Sequence, residues 1–366
     1  MYPEVKTPYL LMSSSKLQKK YLQFSKSFNN FDIYFAVKSN PSLDVLRILH
    51  DMGSKFEIAS FNEYKLLEKL DIDTSDIIYS NPVKPIDHIK KAFLKGINRF
   101  AFDSMQELDK ISRYAPGSSV YLRLLVNDSS SRIPLSKKFG MPAHNAKNAL
   151  LYAKSLGLNP FGITFHVGSQ STSIDIWDFA IQECGWVLSQ LSDTDLDIHW
   201  LNIGGGFPAK YLEDVPKIED ISRTIKRSMK KYIPKNVHFA AEPGRFMVAE
   251  PGTIITSIIG QAERGHKNWL FTDTSAFHGL LETMPCQGNI KFNINRAETN
   301  KATSISRQYV LTGPTCDTYD TYDYDANLSG DVKVGDRLAI KSAGAYSIPF
   351  ATNFNGFPPL RIVLGE

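Results

Sequence analysis

The sequence predicts an α/β fold, a closed (β/α)8 barrel joined to a second, β-rich domain. Three observations predict it. Short β-rich runs recur eight times up to Glu242, most are separated by segments with helical spacing, and beyond Glu242 helical segments become scarce. Strand–helix alternation repeated in this way is the signature of a parallel barrel with its helices outside.

The eight runs are "FDIYFAV" (31–37), "SKFEIA" (54–59), "DIIYS" (76–80), "RFAFD" (99–103), "SVYLRLLV" (119–126), "NPFGITFHV" (159–167), "LDIHWLNIG" (196–204) and "NVHFAAE" (236–242). Between them "SLDVLRILHDM", "FNEYKLLEKL", "HNAKNALLYAKSLGL" and "WDFAIQECGWVLSQL" repeat apolar residues three and four apart, as amphipathic helices do. "SKLQKKYLQFSKSF" predicts a helix leading into the barrel. After Glu242, "GTIITSIIGQ", "RQYVLTG", "RLAIKSAGAYSI" and "PLRIVLG" read as strands of a separate sandwich-like or barrel-like β domain. The opening "TPYLLM" is a short apolar strand with no partner nearby, so it is expected to join that domain. The expected bounds are 14–248 for the barrel, and 1–13 with 249–366 for the β domain.

The chain has 366 residues, enough for a large barrel and a second domain, and its 42% hydrophobic and 22% charged residues are those of a soluble globular protein. The net charge is only +4, with Lys and Arg mixed among Asp and Glu, which gives no case for nucleic acid or an anionic membrane as partner. The N-terminus lacks the apolar core of a signal peptide, and no apolar stretch reaches bilayer length, so the cytoplasm is the expected location. Three scattered cysteines, Cys184, Cys286 and Cys316, argue against a disulfide framework and against a cysteine-based zinc site. No metal is expected.

In barrels of this kind chemistry sits at the C-terminal strand ends. There the sequence places Lys38, Glu57, Ser60, Asn81, His166, Ser169, Gly204–Gly205–Gly206, Glu242 and Arg245. Each has an ordinary reading when taken alone. Lys38 could be a rim amine, the glycines a tight turn, Glu242 and Arg245 a salt bridge, His166 a satisfied rim residue. Together they match what pyridoxal phosphate asks of its protein: a lysine for its aldehyde, a carboxylate for its pyridinium nitrogen, glycines and an arginine for its phosphate. Lys38 ends an apolar run, so it is expected to be buried, with a depressed pKa that leaves its amine nucleophilic.

At these positions the chain resembles the pyridoxal-phosphate-dependent basic amino acid decarboxylases of the alanine racemase-like fold, with ornithine decarboxylase as type member. "FAVKSNP", "FEIASFNE", "SNPVK", "FDS", "LSKKFG", "FHVGSQS", "NIGGGFP", "EPGRFMV", "GPTCDTYD" and "SAGAYSIPFATNFNGFPP" carry the resemblance over nearly the whole length. It is nearest to the shorter bacterial ornithine or lysine decarboxylases. The resemblance implies that Lys38 carries the cofactor, His166 stacks on its ring and Glu242 keeps the ring nitrogen protonated. Ser169, Gly205, Gly206, Arg245 and Tyr346 would bind the phosphate. Cys316 and Asp317 would reach across a homodimer into the partner's site, the cysteine protonating the substrate carbon and the aspartate holding its distal ammonium. The implied activity is decarboxylation of ornithine, or next lysine, to a diamine in polyamine biosynthesis.

Some positions depart from the family pattern. Glu57 stands where the type member has aspartate, so its contact with the cofactor ring or His166 differs. In "FTDTSAFHGLLET" a glycine expected after Asp273 is replaced by Thr274–Ser275, which leaves Asp273 as a candidate substrate contact. "DTYDTYDYD" (317–325) is rich in Asp and Tyr, as a solvated loop would be. Rival readings are a diaminopimelate decarboxylase, disfavoured by the aspartate after Cys316, a decarboxylase of a modified diamino acid in a siderophore or antibiotic pathway, and a catalytically inactive regulatory homologue. Carrier proteins of the barrel alone are too short.

Overall fold

A computed structural model describes residues 4–297 and 305–366; the parts of the expected β domain at 1–3 and 298–304 lie outside the described residues. The chain forms two compact units, one of residues 21–208 and 215–244, the other of residues 1–20, 209–214 and 245–366.

The chain begins with β1 (Tyr9–Ser13) and α1 (Ser14–Ser27). Within the first unit β2 (Phe31–Ala36), β3 (Lys55–Ile58), β4 (Ile77–Tyr79), β5 (Arg99–Phe102) and β6 (Ser119–Arg123) follow in order. A short ribbon of β7 (Ser131–Ile133) and β9 (Ser169–Ser171) flanks β8 (Asn159–Thr164), and β10 (Trp200–Asn202) and β11 (His238–Ala241) complete the set. The strands β10-β11-β2-β3-β4-β5-β6-β8 close into a barrel, as the eight runs predicted, with parallel pairs such as Ala36↔Glu57, Phe239↔Phe31 and Trp200↔Gly162.

Each strand is shorter than its sequence run. The strand of "SVYLRLLV" ends at Arg123, with an isolated bridge from Leu124 to Met141 beyond it, and that of "NPFGITFHV" ends at Thr164. Apolar residues continue past the strand ends because the segments there, including Leu124, Val126, Phe165 and Val167, are buried as well. The two three-residue strands of the ribbon escaped the sequence reading, since such short pieces carry no periodicity.

Side chains fill the barrel interior. Tyr34, Ile78, Ala101, Tyr121, Phe161, Trp200 and Ala240 form one buried cluster, in which the Trp200 and Tyr121 rings meet edge-on at 5.1 Å. Small residues accommodate the large ones, as packing to interior density demands. A side chain at Gly162 would put its Cβ 2.7 Å from the Trp200 ring and 2.9 Å from the Trp200 carbonyl.

Helices α2 (Leu43–Asp51), α3 (Phe61–Glu68), α4 (Ile86–Leu94), α5 (Met105–Tyr114), α6 (Ala146–Ser155), α7 (Asp175–Ser189) and α8 (Ile218–Tyr232) connect the strands. Ser60 and Ser104 cap α3 and α5 by accepting from the N–H of Glu63 and Glu107. Behind the cap of α5 lies a fully buried ammonium. Lys84 Nζ donates to the carbonyls of Asn81 (2.9 Å) and Ala101 (2.6 Å) and pairs with Glu107 at 3.0 Å, tying the ends of β4 and β5 together.

The second unit contains α9 (Arg245–Val248) and α10 (Ser347–Phe350), and is built on β12 (Gly252–Arg264), β13 (Lys267–Thr272), β14 (Ile294–Arg296), β15 (Ser306–Thr312), β16 (Thr321–Ser329), β17 (Arg337–Lys341) and β18 (Arg361–Gly365). Its order is β14-β17-β12-β13-β15-β16, and β1 lies between β12 and β18, antiparallel to the first (Leu10↔Ile254) and parallel to the second (Leu10↔Ile362). The partnerless opening strand therefore joins the β domain.

Gly162→Ala is expected to lower unfolding free energy by about 1–3 kcal/mol, the usual range for overpacking a filled core. Urea denaturation of the variant against the parent protein measures it.

Candidate active site

At the C-terminal end of the barrel a cavity of about 330 Å³ is lined by Lys38, Glu57, Arg123, His166 and Glu242, among others. Lys38 sits in a single turn, Val37–Ser39, directly after β2. The register Ala36↔Glu57 sets the neighbouring strand alongside, and the Lys38 ammonium forms an ion pair with Glu57. The expectation of a buried lysine is corrected here. Its side chain is 39% exposed, while that of Glu57 is 2% exposed. The residue lies past the last strand position, where the barrel opens into the cavity, so the deeply buried partner is the carboxylate.

Glu242 follows β11 and is buried. Its Oε1 accepts from Ser80 Oγ (2.5 Å) and from Asn202 Nδ2 (2.6 Å), and Ser80 also bonds the Tyr121 hydroxyl at 2.7 Å. Burial raises the Glu242 pKa, the charge of Glu57 raises it further, and Lys38, Ser80 and Asn202 oppose the shift. Arg245, the neighbour with which a salt bridge was conceivable, is ion-paired with Glu282.

His166 follows β8. Its Nδ1 accepts from the N–H of Gly168 at 3.1 Å, which places the proton of the neutral ring on Nε2. Desolvation, then the charges of Arg123 and Lys38, hold its pKa well below the ordinary histidine range. The glycine triplet makes this arrangement possible by close packing. A Cβ on Gly205 would lie 2.8 Å from the Glu242 carbonyl and 3.0 Å from His166 Nε2, and one on Gly206 would lie 2.5 Å from the Gly168 carbonyl. Gly206 also has a φ of +104°, which side chains disfavour. Ser169 opens β9 in the ribbon with β7.

Sequence reading passed over Arg123, Ser80 and Asn202. Arg123 ends β6 and lines the cavity, with its guanidinium 5.3 Å from the Phe139 ring. An arginine inside the apolar run "SVYLRLLV" was the available signal. Ser80 ended its run and Asn202 lay near the end of its own, both as ordinary polar residues, and nothing local showed that both bond Glu242.

Glu63 stands one shell away. It completes a capping box on α3, its Oε2 accepting from the Ala59 N–H at 2.6 Å while Ser60 accepts from the Glu63 N–H. Burial, then the charge of Glu57, pushes its pKa up to about 7.

The β unit brings other candidates together. Arg245 donates both prongs of an ion pair to Glu282 (2.7 and 2.5 Å), donates to the Tyr211 hydroxyl at 2.6 Å, and has its guanidinium 4.8 Å from the Tyr346 ring. Cys316 is exposed and Asp317 half-buried, in the loop between β15 and β16. Asp273 is engaged within its own unit. Its Oδ1 accepts from Thr256 Oγ1 (2.6 Å) and the Ser257 N–H (2.9 Å), and its Oδ2 from Thr7 Oγ1 (2.6 Å).

The family profile described as "Pyridoxal-dependent decarboxylase, pyridoxal binding domain" matches residues 14–249. The chain belongs to this family. A lysine/ornithine decarboxylase of Selenomonas ruminantium is 31% identical over 354 residues, covering 96% of this chain and 88% of the relative. Antizyme inhibitor 2 of Xenopus laevis is also 31% identical, over 93% of this chain and 76% of its own length. Among solved structures, one of SrLDC with PLP and cadaverine superposes with a TM-score of 0.91 at 28% identity, covering 99% of this chain and 91% of that chain. This protein is a pyridoxal-phosphate-dependent amino acid decarboxylase.

The decarboxylase's cavity fits that cofactor chemically. It holds a primary amine, a buried carboxylate and a neutral imidazole, and Gly205 leaves clearance beside His166 that any side chain would fill. Among its described residues no helix is long and apolar enough to cross a membrane.

Two outcomes follow for stability. Glu63 is raised in the folded state, so the stability it contributes is complete below its ordinary pKa of 4.5 and is lost as pH rises through about 7. Glu63→Gln is expected to flatten the stability curve over that interval, read by urea unfolding at stepped pH. Glu282→Ala, which strands the buried Arg245 guanidinium, is expected to destabilise the decarboxylase by about 3–5 kcal/mol, measured in the same way.

Proposed function

We propose that this decarboxylase acts on a basic L-amino acid, L-ornithine first and L-lysine next, releasing CO2 and a diamine for polyamine biosynthesis in the cytoplasm. Pyridoxal phosphate, when bound, supplies the electron sink for the pair left behind by CO2. The residues of the chain do the rest. Lys38 holds the cofactor through its amine, with Glu57 as counter-ion. Glu242 keeps a proton at the ring nitrogen, and Ser80 and Asn202 hold its Oε1 in place. His166 packs against the ring in its neutral form, which leaves the positive charge at the Glu242 side. Ser169, Gly205 and Gly206 of the barrel unit are assigned as phosphate contacts.

In a homodimer with shared sites, Cys316 and Asp317 would act on the partner's substrate. The Cys316 thiol returns a proton to the α-carbon and the Asp317 carboxylate holds the distal ammonium. The observation that carries the substrate class is the carboxylate of Asp317 next to Cys316. It attracts a cationic substrate end and repels the distal carboxylate of a diaminopimelate-type substrate. Asp273 is left out, because Thr7, Thr256 and Ser257 already occupy its oxygens. The lysine/ornithine decarboxylase relative supports the same class.

CO2 release from L-ornithine, L-lysine, L-arginine, diaminobutyrate and meso-diaminopimelate tests this, with Lys38→Ala as control. Release from a basic diamino acid, abolished in the variant, is expected. Cofactor binding without turnover of any member would overturn the substrate assignment. A modified diamino acid, or a regulatory role of the kind named by the antizyme inhibitor relative, would then replace it.

A further inference from the structure

We propose that Asn355 and Asp320 are positioning residues that fix the Cys316 backbone from two sides. The inference rests on the reading that the Cys316 thiol works in the decarboxylation site. A proton donor has to be held within a fraction of an ångström, and a long loop between strands does not provide that by itself.

The loop between β15 and β16 is closed at its base by Asp320. Gly313 N–H and Thr312 Oγ1 both donate to the Asp320 carbonyl, at 2.8 and 2.7 Å. The Asp320 side chain then turns inward and is fully buried. Its Oδ2 accepts from Thr315 N–H (3.1 Å) and Thr315 Oγ1 (2.7 Å), immediately before Cys316. Its Oδ1 accepts from the Ala276 N–H at 2.9 Å, on a separate turn of the same unit. A buried carboxylate is tolerable only with such donors around it. The fit is tight enough that a Cβ on Gly313 would run into the Asp320 carboxylate.

The second tie comes from the C-terminal segment. Cys316 N–H donates to Asn355 Oδ1 at 3.0 Å. Asn355 has a φ of 55°, a left-handed conformation that asparagine accepts better than most residues. Its segment is anchored on the same turn that Asp320 grips. Thr352 N–H donates to the Phe277 carbonyl at 2.9 Å, and the Phe354 and Phe277 rings meet at 5.3 Å. Residues 275–278 thus support both holders of the Cys316 loop. These backbone ties set where the Cys316 side chain leaves the loop.

The test uses the full chain reconstituted with pyridoxal phosphate. Asn355→Gly keeps the left-handed backbone and deletes the acceptor, so folding is retained; thermal unfolding confirms it. Iodoacetamide alkylation, resolved by peptide mass spectrometry, reports Cys316 separately from Cys286, the other exposed thiol. The Cys316 rate is expected to change by at least about threefold while that of Cys286 holds, and kcat for L-ornithine to fall by about tenfold with KM nearly constant. An unchanged Cys316 rate in Asn355→Gly would overturn the inference, whatever the substrate. Cys316→Ala tells the two readings apart. Full activity in Cys316→Ala removes the role of the thiol, whereas loss in Cys316→Ala with parental kcat in Asn355→Gly removes only the positioning role.

Discussion

Two carboxylates, Glu57 and Glu242, share the mouth of the barrel with the cations Lys38, Arg123 and Lys138, and the rest of the site is arranged around how those charges are shared. Lys38 neutralises Glu57, the more deeply buried group of the pair. Glu242 lies in the field of the same ammonium, and its Oε1 is held by a hydroxyl and an amide. Its pKa rises because burial disfavours the charge and Glu57 adds repulsion. A carboxylate in that condition shares a proton readily with a base placed against it. Arg123 supplies positive potential on another wall, and together with Lys38 and desolvation it keeps His166 neutral.

Close approach of strand ends makes such a cluster possible. Gly205 and Gly206 pack against the segment after β8 at distances that leave no room for a Cβ. The same economy of space recurs in the core, where Gly162 faces Trp200. The ordinary reading of the triplet as a tight turn and the ligand-binding reading are therefore compatible. Glycines that bring His166 and Glu242 together also leave their own N–H groups uncovered by side chains.

In the β unit, several charged groups are held in different ways. Arg245 and Glu282 form a buried fork, and Asp273 is saturated by hydroxyls and an N–H. Asp320 organises a loop instead of facing solvent. Acidic residues that look alike in "DTYDTYDYD" consequently do different things. Asp317 remains half-buried on the loop, whereas Asp320, three residues on, is wholly interior.

The sequence by itself determined the number and order of barrel strands, the change of architecture after Glu242, and the set Lys38, Glu57, His166 and Glu242 at strand ends. Those features are local: a strand run and its final residues can be read without knowing the partner strand. Tertiary structure decided what each of those groups meets. The Lys38–Glu57 pair comes from strand register, and the Arg245–Glu282 pair joins residues far apart in the chain. Arg123 pointing into the cavity and β1 lying between β12 and β18 were equally beyond local pattern. So was the exposure of Lys38, since an apolar run predicts burial for its end residue but carries no information about the opening into which that residue projects. Periodicity reports which face of an element is apolar, and partner choice is settled only through space, by closure of the sheet.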